Sequence, residues 1–272
     1  MESYADAWKR WFPVIERGAV PLNRLMLERA ELVGRARILD VGTGIGEPAL
    51  TAADAVADGG EVVAIDHDPA MIEFARARAD DKGAANVRFE VMSAEELDLE
   101  AASFDAAFAR WSLMFVADLA STMASLHGLL RPGGRVVLAV WGPPERVPAI
   151  SLARRVVNQH LGLDPPDHGP KTAFALSDTK ALRQVLSDAG FQEMSSDWVP
   201  VVYEFASAEA YVQFRMDCGK ALFPDVDALS DEERRSALDA VVQALDAHRQ
   251  RSGSIRLVNW ACCVTARTGD PG

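Results

Sequence analysis

The stretch Ile38-Leu39-Asp40-Val41-Gly42-Thr43-Gly44-Ile45-Gly46 restricts the possible folds more than any other part of the chain. An apolar run ends in a glycine-rich turn, and Glu47-Pro48-Ala49-Leu50 then opens a helical pattern. Proline is favoured just inside a helix start, because its missing N–H would be unpaired there anyway. The order is therefore strand, glycine turn, helix. Glycines allow positive φ and let a ligand approach the backbone closely. A helix start adds unpaired N–H groups and a partial positive charge. Such a turn suits a nucleotide or a carboxylate; the alternative is a purely structural turn. Spacing narrows the ligand. A dinucleotide fingerprint runs G-x-G-x-x-G, whereas the glycines here run G-x-G-x-G and Glu47 stands where the third dinucleotide glycine would be. Asp40 puts an acid into the strand end, which suits a ligand bearing an ammonium group better than a pyrophosphate.

An acid followed by G-x-G-x-G resembles the first motif of the class I S-adenosylmethionine-dependent methyltransferases. Later motifs keep the family's order. The apolar run Glu61-Val62-Val63-Ala64-Ile65-Asp66 reads as strand 2, and Leu130-Arg131-Pro132-Gly133-Gly134 matches the family's L-x-P-G-G turn before strand 5 at 136–141. The resemblance covers residues 36–141 and is greatest to the ubiquinone/menaquinone-biosynthesis-like branch, which contains many small-molecule methyltransferases. It implies an α/β fold: a Rossmann-like seven-stranded sheet with strand 7 antiparallel between strands 5 and 6, helices on both faces and a helical cap. It implies S-adenosylmethionine as cofactor. Asp40, Gly42, Thr43 and Gly44 would form the turn site, Asp66 would take both ribose hydroxyls, and His67 and Met71 would border the adenine. Ser93, Ala94 and Arg110 complete the implied cofactor site.

The residues themselves leave alternatives beside several of these roles. Two adjacent O–H donors match two carboxylate oxygens, which fits Asp66 to a ribose. Asp68-Pro69 also follows, so one of these acids caps the next helix; the expected division is Asp66 for ribose and Asp68 for the cap. His67 alone reads equally well as an exposed surface histidine. Many relatives carry Asp where Ser93 stands; a hydroxyl still accepts a hydrogen bond, without charge. The Ala94 N–H can read a ring nitrogen whatever its side chain, and Glu95 faces solvent in the simpler reading.

Strand 4 ends in Ala109-Arg110-Trp111-Ser112. Family members that methylate DNA or exocyclic amines often show D/N-P-P-Y/F there, so the resemblance implies transfer to oxygen or carbon instead. Trp111, Trp141, Tyr203, Tyr211 and Phe214 are either core or the lining of an acceptor pocket, and as a group they favour an apolar or aromatic small molecule. No catalytic base is identifiable. His160 and His168 lie in the expected cap insertion, while His127 and His248 lie in helical patterns. No metal-ligand signature is visible. Two other readings stand beside methyl transfer: other chemistry on the same fold, such as aminopropyl transfer, which would call for more acids at the end of strand 4, and a catalytically inactive cofactor- or partner-binding protein.

Composition sets outer limits. A phosphate-tracking surface normally needs a basic patch, and with a net charge of −12 over 272 residues nucleic acid is not an expected partner. No stretch approaches the roughly 18 apolar residues of a membrane span, and Met1-Glu2-Ser3-Tyr4-Ala5-Asp6 lacks the pattern of a signal peptide. The three cysteines, Cys218, Cys262 and Cys263, give neither a disulfide framework nor a zinc pattern. A cytoplasmic protein with buried thiols is expected.

The expected organisation has an N-terminal helical lid at 1–34, a core at 35–141, a cap insertion at 142–176, core again at 177–206, a helical cap segment at 207–250, and a last strand and tail at 251–272. Trp8, Trp11 and Phe12 share one helical face, Pro13 is expected to interrupt that helix, and Pro21 to start another. That face is either permanent core or a lid over the cofactor.

Overall fold

The computed structural model describes residues 4–56, 59–219 and 229–269. Residues 1–3 of the expected lid, Ala57 and Asp58 after the first crossover helix, 220–228 of the expected cap segment and the tail 270–272 lie outside the described residues.

The strands are β1 (Arg37–Val41), β2 (Glu61–Asp66), β3 (Val87–Val91), β4 (Phe104–Arg110), β5 (Leu130–Trp141), β6 (Gln192–Phe205) and β7 (Ile255–Arg267). They form a seven-stranded sheet in the order β3-β2-β1-β4-β5-β7-β6. β1 runs parallel to β2 and β4, while β7 runs antiparallel to β5, with Leu138 opposite Val264. The expected sheet, with its reversed last strand between strands 5 and 6, is therefore present. Strands crossed over by helices are covered on both faces and read as continuous apolar runs. Ile38, Leu39 and Val41 of β1 and Val62, Val63 and Ile65 of β2 are buried accordingly.

The chain divides into two compact units. One comprises Pro21–Trp141, Gly169–Val199 and Ala261–Gly272. It holds β1–β5 and the helices α2 (Ala49–Ala55), α3 (Pro69–Lys82), α4 (Leu119–Leu129) and α6 (Thr179–Asp188). The strand containing the L-x-P-G-G sequence starts earlier than expected. Leu130 already pairs with Phe104, and a bulge follows before Arg135 pairs with Ala106. Gly133 takes a φ of 77° inside that bulge, and the Thr268 hydroxyl donates to Arg131 O at 2.7 Å to hold it. His127 packs edge-on against Phe191.

The other unit comprises Met1–Val20, Gly142–His168 and Pro200–Trp260. Its helices are α5 (Pro148–His160), α7 (Ala208–Cys218) and α8 (Asp231–Ala244). Ser230 and Glu233 form a reciprocal capping box that starts α8. Buried Asn259 accepts from Ala149 N at 2.8 Å and donates to Val201 O at 3.0 Å. Tyr211 is buried; its hydroxyl accepts from Ala153 N and donates to Pro148 O. Burial pushes that phenol up to about 12.

Helix α1 (Tyr4–Ala30) contributes to both units and corrects one expectation: it runs unbroken through Pro13 and Pro21. A helical proline leaves the carbonyl four residues earlier unpaired. Both prolines, and Lys9 and Arg17 four residues before them, are exposed, so water can hydrate what the ring leaves open. Among the described residues no helix is long and apolar enough to cross a membrane, and no group of three His, Cys, Asp or Glu side chains could hold a metal ion. The three cysteines are free thiols, and burial pushes Cys218 and Cys263 up to about 12. Such thiols are poor nucleophiles.

Candidate cofactor site

The carboxyl ends of β1, β2 and β4 lie side by side where the strand order reverses, which is where open parallel sheets bind ligands. The glycine turn leaves β1 at this point. Gly42 N and Thr43 N both donate to Ile65 O, at 2.8 and 2.9 Å, so the turn is stitched to β2. Asp66, at the end of β2, accepts from Gly44 N at 2.8 Å and from Asp68 N at 3.0 Å. Asp68 caps α3 by accepting from Ala70 N, as the Asp-Pro sequence implies. His67 is exposed, its ring 3.3 Å from Asp66 Oδ1. Met71 is buried in the first turn of α3.

Two glycines of the turn have different reasons to be glycine. Gly42 has a φ of +72°, and a Cβ there would lie 2.2 Å from the Ser112 Cβ. Ser112 cannot retreat freely, because its hydroxyl donates to Val41 O at 2.6 Å. Gly44 has a φ of +55°, and a Cβ there would meet nothing within 4 Å. Packing forbids a side chain at 42, whereas at 44 the space beside the backbone is open. Gly42→Ala is therefore expected to cost about 2 kcal/mol or more, from left-handed backbone strain plus overpacking. Gly44→Ala should cost only about 1 kcal/mol. Urea denaturation of the two variants checks the order; equal midpoints would refute the packing argument.

Asp40 is fully buried. One oxygen accepts from Ala49 N at 3.1 Å, so the first free N–H of α2 is capped from within the sheet. The helix begins at Ala49, after Pro48, two residues later than the sequence pattern suggests. The other oxygen, Oδ1, is buried with no donor in hydrogen-bond geometry among the described residues, and the nearby Thr43 hydroxyl is likewise buried and unpaired. Burial pushes the carboxyl up to about 7, against the opposing pull of the nearby Thr43 hydroxyl, the Arg110 charge and the Ala49 N–H. A buried acid with an orphaned oxygen beside an open backbone turn fits the cationic amino-acid end of S-adenosylmethionine.

Arg110 ends β4 almost completely buried, donating to Asn23 Oδ1 of α1 at 3.0 Å. Its guanidinium lies over the Trp111 ring, 4.9 Å from the centroid. Ser93 and Ala94 follow β3 and are half-buried. The Ser93 hydroxyl accepts from Glu95 N at 3.1 Å, which closes a small turn. Glu95 is exposed, but Oε1 also accepts from Ala117 N at 2.8 Å and ties this loop to the start of α4. Sequence reasoning missed the clamp on the turn. Glu47 is buried and pairs with Arg78 at 3.0 Å, and the same arginine donates to Ile45 O. It also missed Asn23 and Ser112; none of the three belongs to a local pattern.

A glycine turn after the first strand of a parallel sheet, with an acid ending the neighbouring strand, defines a Rossmann-like binder of adenosine-containing cofactors. Comparison with known proteins narrows this class. A methyltransferase-domain family model matches residues 33–160. Aklanonic acid methyltransferase DauC of Streptomyces sp. (strain C5) is 34% identical over 142 residues, covering 49% of this chain and 64% of that protein. The chain thus spans just under two thirds of the length of that relative. Demethylmenaquinone methyltransferase of Thermus thermophilus is 33% identical over 192 residues, covering 62% of this chain and 86% of that one. Nocamycin O-methyltransferase of Saccharothrix syringae is 28% identical over 262 residues, covering 93% of this chain and 92% of that one. The chain belongs to the class I S-adenosylmethionine-dependent methyltransferases.

Proposed function

We propose that this protein transfers a methyl group from S-adenosylmethionine to oxygen or carbon of an apolar or aromatic small molecule. The observation that carries the reading is the pairing of a buried, half-satisfied Asp40 with Asp66 across an open glycine turn. When bound, the cofactor supplies a methyl group on a sulfonium leaving group, so the protein has little covalent chemistry to perform. Asp40 would offer negative charge to the ligand's ammonium group. Gly44 would admit the ligand against the backbone. Asp66 braces the turn through one oxygen and keeps lone pairs for the ribose hydroxyls. His67 and Met71 would flank the base, with Ser93 and Ala94 at its edge and Arg110 behind the turn. Ala109-Arg110-Trp111-Ser112 offers no cluster of oxygen acceptors for an amine, which favours oxygen or carbon as the methylated atom. The relatives' names, each that of a small molecule, support an acceptor of that size.

Calorimetric titration should show binding of S-adenosylhomocysteine and none of NAD; the reverse result would sink the reading. Asp66→Ala should lower the affinity at least about tenfold, since a hydrogen bond to a charged group contributes about 1.5–3 kcal/mol. Asp68→Ala should leave affinity nearly unchanged and cost about 1 kcal/mol of stability through the lost cap. A swap of the two phenotypes would refute the assignment. Release of S-adenosylhomocysteine across a panel of phenols, enols and carboxylic acids tests turnover; cofactor binding without release would favour an inactive binding protein.

A further inference from the structure

Trp111 stands in a conformation that demands a reason. Its φ is +55°, the left-handed region, where a bulky side chain is a true outlier. Strain of this kind persists only where surrounding contacts hold it, and it gathers at functional sites. Here the backbone is fixed by Trp111 N donating to Ala139 O at 2.9 Å. The ring stacks on Trp141, centroids 4.2 Å apart and planes 8° from parallel. The Arg110 guanidinium lies over the same ring. The indole is thus engaged face-on by Trp141 and by the Arg110 guanidinium, and it also has an edge to offer. That edge carries Nε1–H, which is buried and has no hydrogen-bond partner among the described residues. An indole nitrogen can only donate, and buried donors are nearly always paired. The ring as a whole is only half-buried.

The neighbouring residues show on which side of the sheet's end this donor lies. Ser112 reaches back to β1, bonding Val41 O and pressing on Gly42. Trp111 leans the other way, onto Trp141 at the end of β5. Since β4 lies between β1 and β5, the indole faces away from the glycine turn. We infer that the Trp111 Nε1–H is the donor that recognises the methyl acceptor, and that the acceptor class is a molecule carrying a carbonyl, enolate or phenolate oxygen. This rests on the methyl-transfer reading above. Trp111 is then a specificity residue: it holds an oxygen of the acceptor, the strained backbone sets where the donor lies, and the stack with Trp141 fixes the ring plane.

The test uses the full chain with bound S-adenosylhomocysteine and the probes 1-naphthol and 1-tetralone, each beside its hydrocarbon counterpart, naphthalene or tetralin. In nitrogen-15 spectra the Trp111 indole resonance should shift with the two oxygen-bearing probes and not with the hydrocarbons. Trp111→Phe keeps a stacking ring and removes the donor. It should weaken binding of the oxygen-bearing probes at least about fivefold, as expected for one lost hydrogen bond, with S-adenosylhomocysteine affinity within about twofold of wild type. Its melting temperature should match or exceed that of wild type, because it also removes an unpaired buried donor. A purely structural Trp111 predicts a lower melting temperature and unchanged probe binding, and that result overturns the proposal. An indole resonance unmoved by either oxygen-bearing probe overturns it too, as does a loss of cofactor affinity equal to the loss for the probes. Failure of S-adenosylhomocysteine itself to bind would be visible first, and would refute the functional reading rather than the role of Trp111 alone.

Discussion

Asp40→Asn should weaken S-adenosylhomocysteine binding at pH 8 by at least about tenfold, because a charged partner for the ligand's ammonium group contributes about 1.5–3 kcal/mol. The effect should vanish toward pH 5. Burial raises the Asp40 carboxyl to about 7 in the ligand-free fold. Wild-type affinity should therefore fall as pH drops through 7 and the acid takes up a proton, whereas the asparagine variant, with no proton to gain, should be weak and flat. The same group makes a stability prediction of opposite sense. Between the ordinary 3.8 and about 7 the folded state holds a proton that the unfolded chain has released. Stability from that proton is fully present below the unfolded value and is lost as pH rises through the folded one. Across that window the ligand-free wild type should lose up to about 4 kcal/mol. Asp40→Asn keeps an oxygen for the Ala49 N–H and escapes the loss, so its melting temperature should gain on the wild type from pH 5 to pH 8. Parallel melting and affinity curves for the two proteins across this range would show that Asp40 does not ionise where the geometry requires.

The features legible in the sequence are those written in neighbouring residues. Strand, glycine turn and helix follow from one stretch of chain. Asp68 as a cap follows from Asp-Pro, because proline marks a first helical position and the acid just before it can accept the N–H of the residue that follows the proline. The strand order beyond that came from resemblance, since periodicity says which runs are strands and nothing of which lie side by side. The pairings around the turn were not legible for the same reason. Glu47 meets Arg78 and Arg110 meets Asn23 only after the sheet has brought distant segments together. A glutamate in place of a third glycine reads in the sequence as evidence against a dinucleotide; in the fold it is also half of a partly buried ion pair that fixes the turn. Ser93 reads in the sequence as a substitute for a family acid, and in the structure its hydroxyl also closes a turn with Glu95. Pro13 misleads because local rules count the hydrogen bond it removes and not the water that replaces it.

Removal of residues 1–13 should destabilise the unit that contains them by several kcal/mol. The N-terminal half of α1 is built into that unit's core. Ala5 and Ala7 are buried. The Trp11 ring packs 5.5 Å from Phe214 and 6.0 Å from Phe205, and those rings continue the cluster to Tyr203 and Tyr211. Trp11 also donates to Asp217 at 2.7 Å, beside Arg10 at 2.8 Å and Gln213 at 2.6 Å. Burial alone would raise the Asp217 carboxyl, yet the hydrogen bonds from Trp11, Gln213 and Arg10 hold it below the ordinary value. Its contribution is present at neutral pH and is lost as pH falls through that lowered value. Truncating a fully buried aromatic costs about 3–5 kcal/mol; Trp11 is half-buried, so Trp11→Ala alone should cost about 2–3 kcal/mol. The deletion adds exposed rings and a carboxylate stripped of two donors, against a typical total stability of about 5–15 kcal/mol. A lid that swings over the cofactor makes the opposite forecast. Its amides would exchange freely without ligand and gain protection with S-adenosylhomocysteine, and the truncated chain would melt like the parent while losing turnover. Hydrogen exchange on residues 4–13 of the free protein, followed by melting of the truncated chain, separates the two. Protection before any ligand is added, together with a collapsed melting transition, is the outcome that Trp11 and Asp217 lead us to expect.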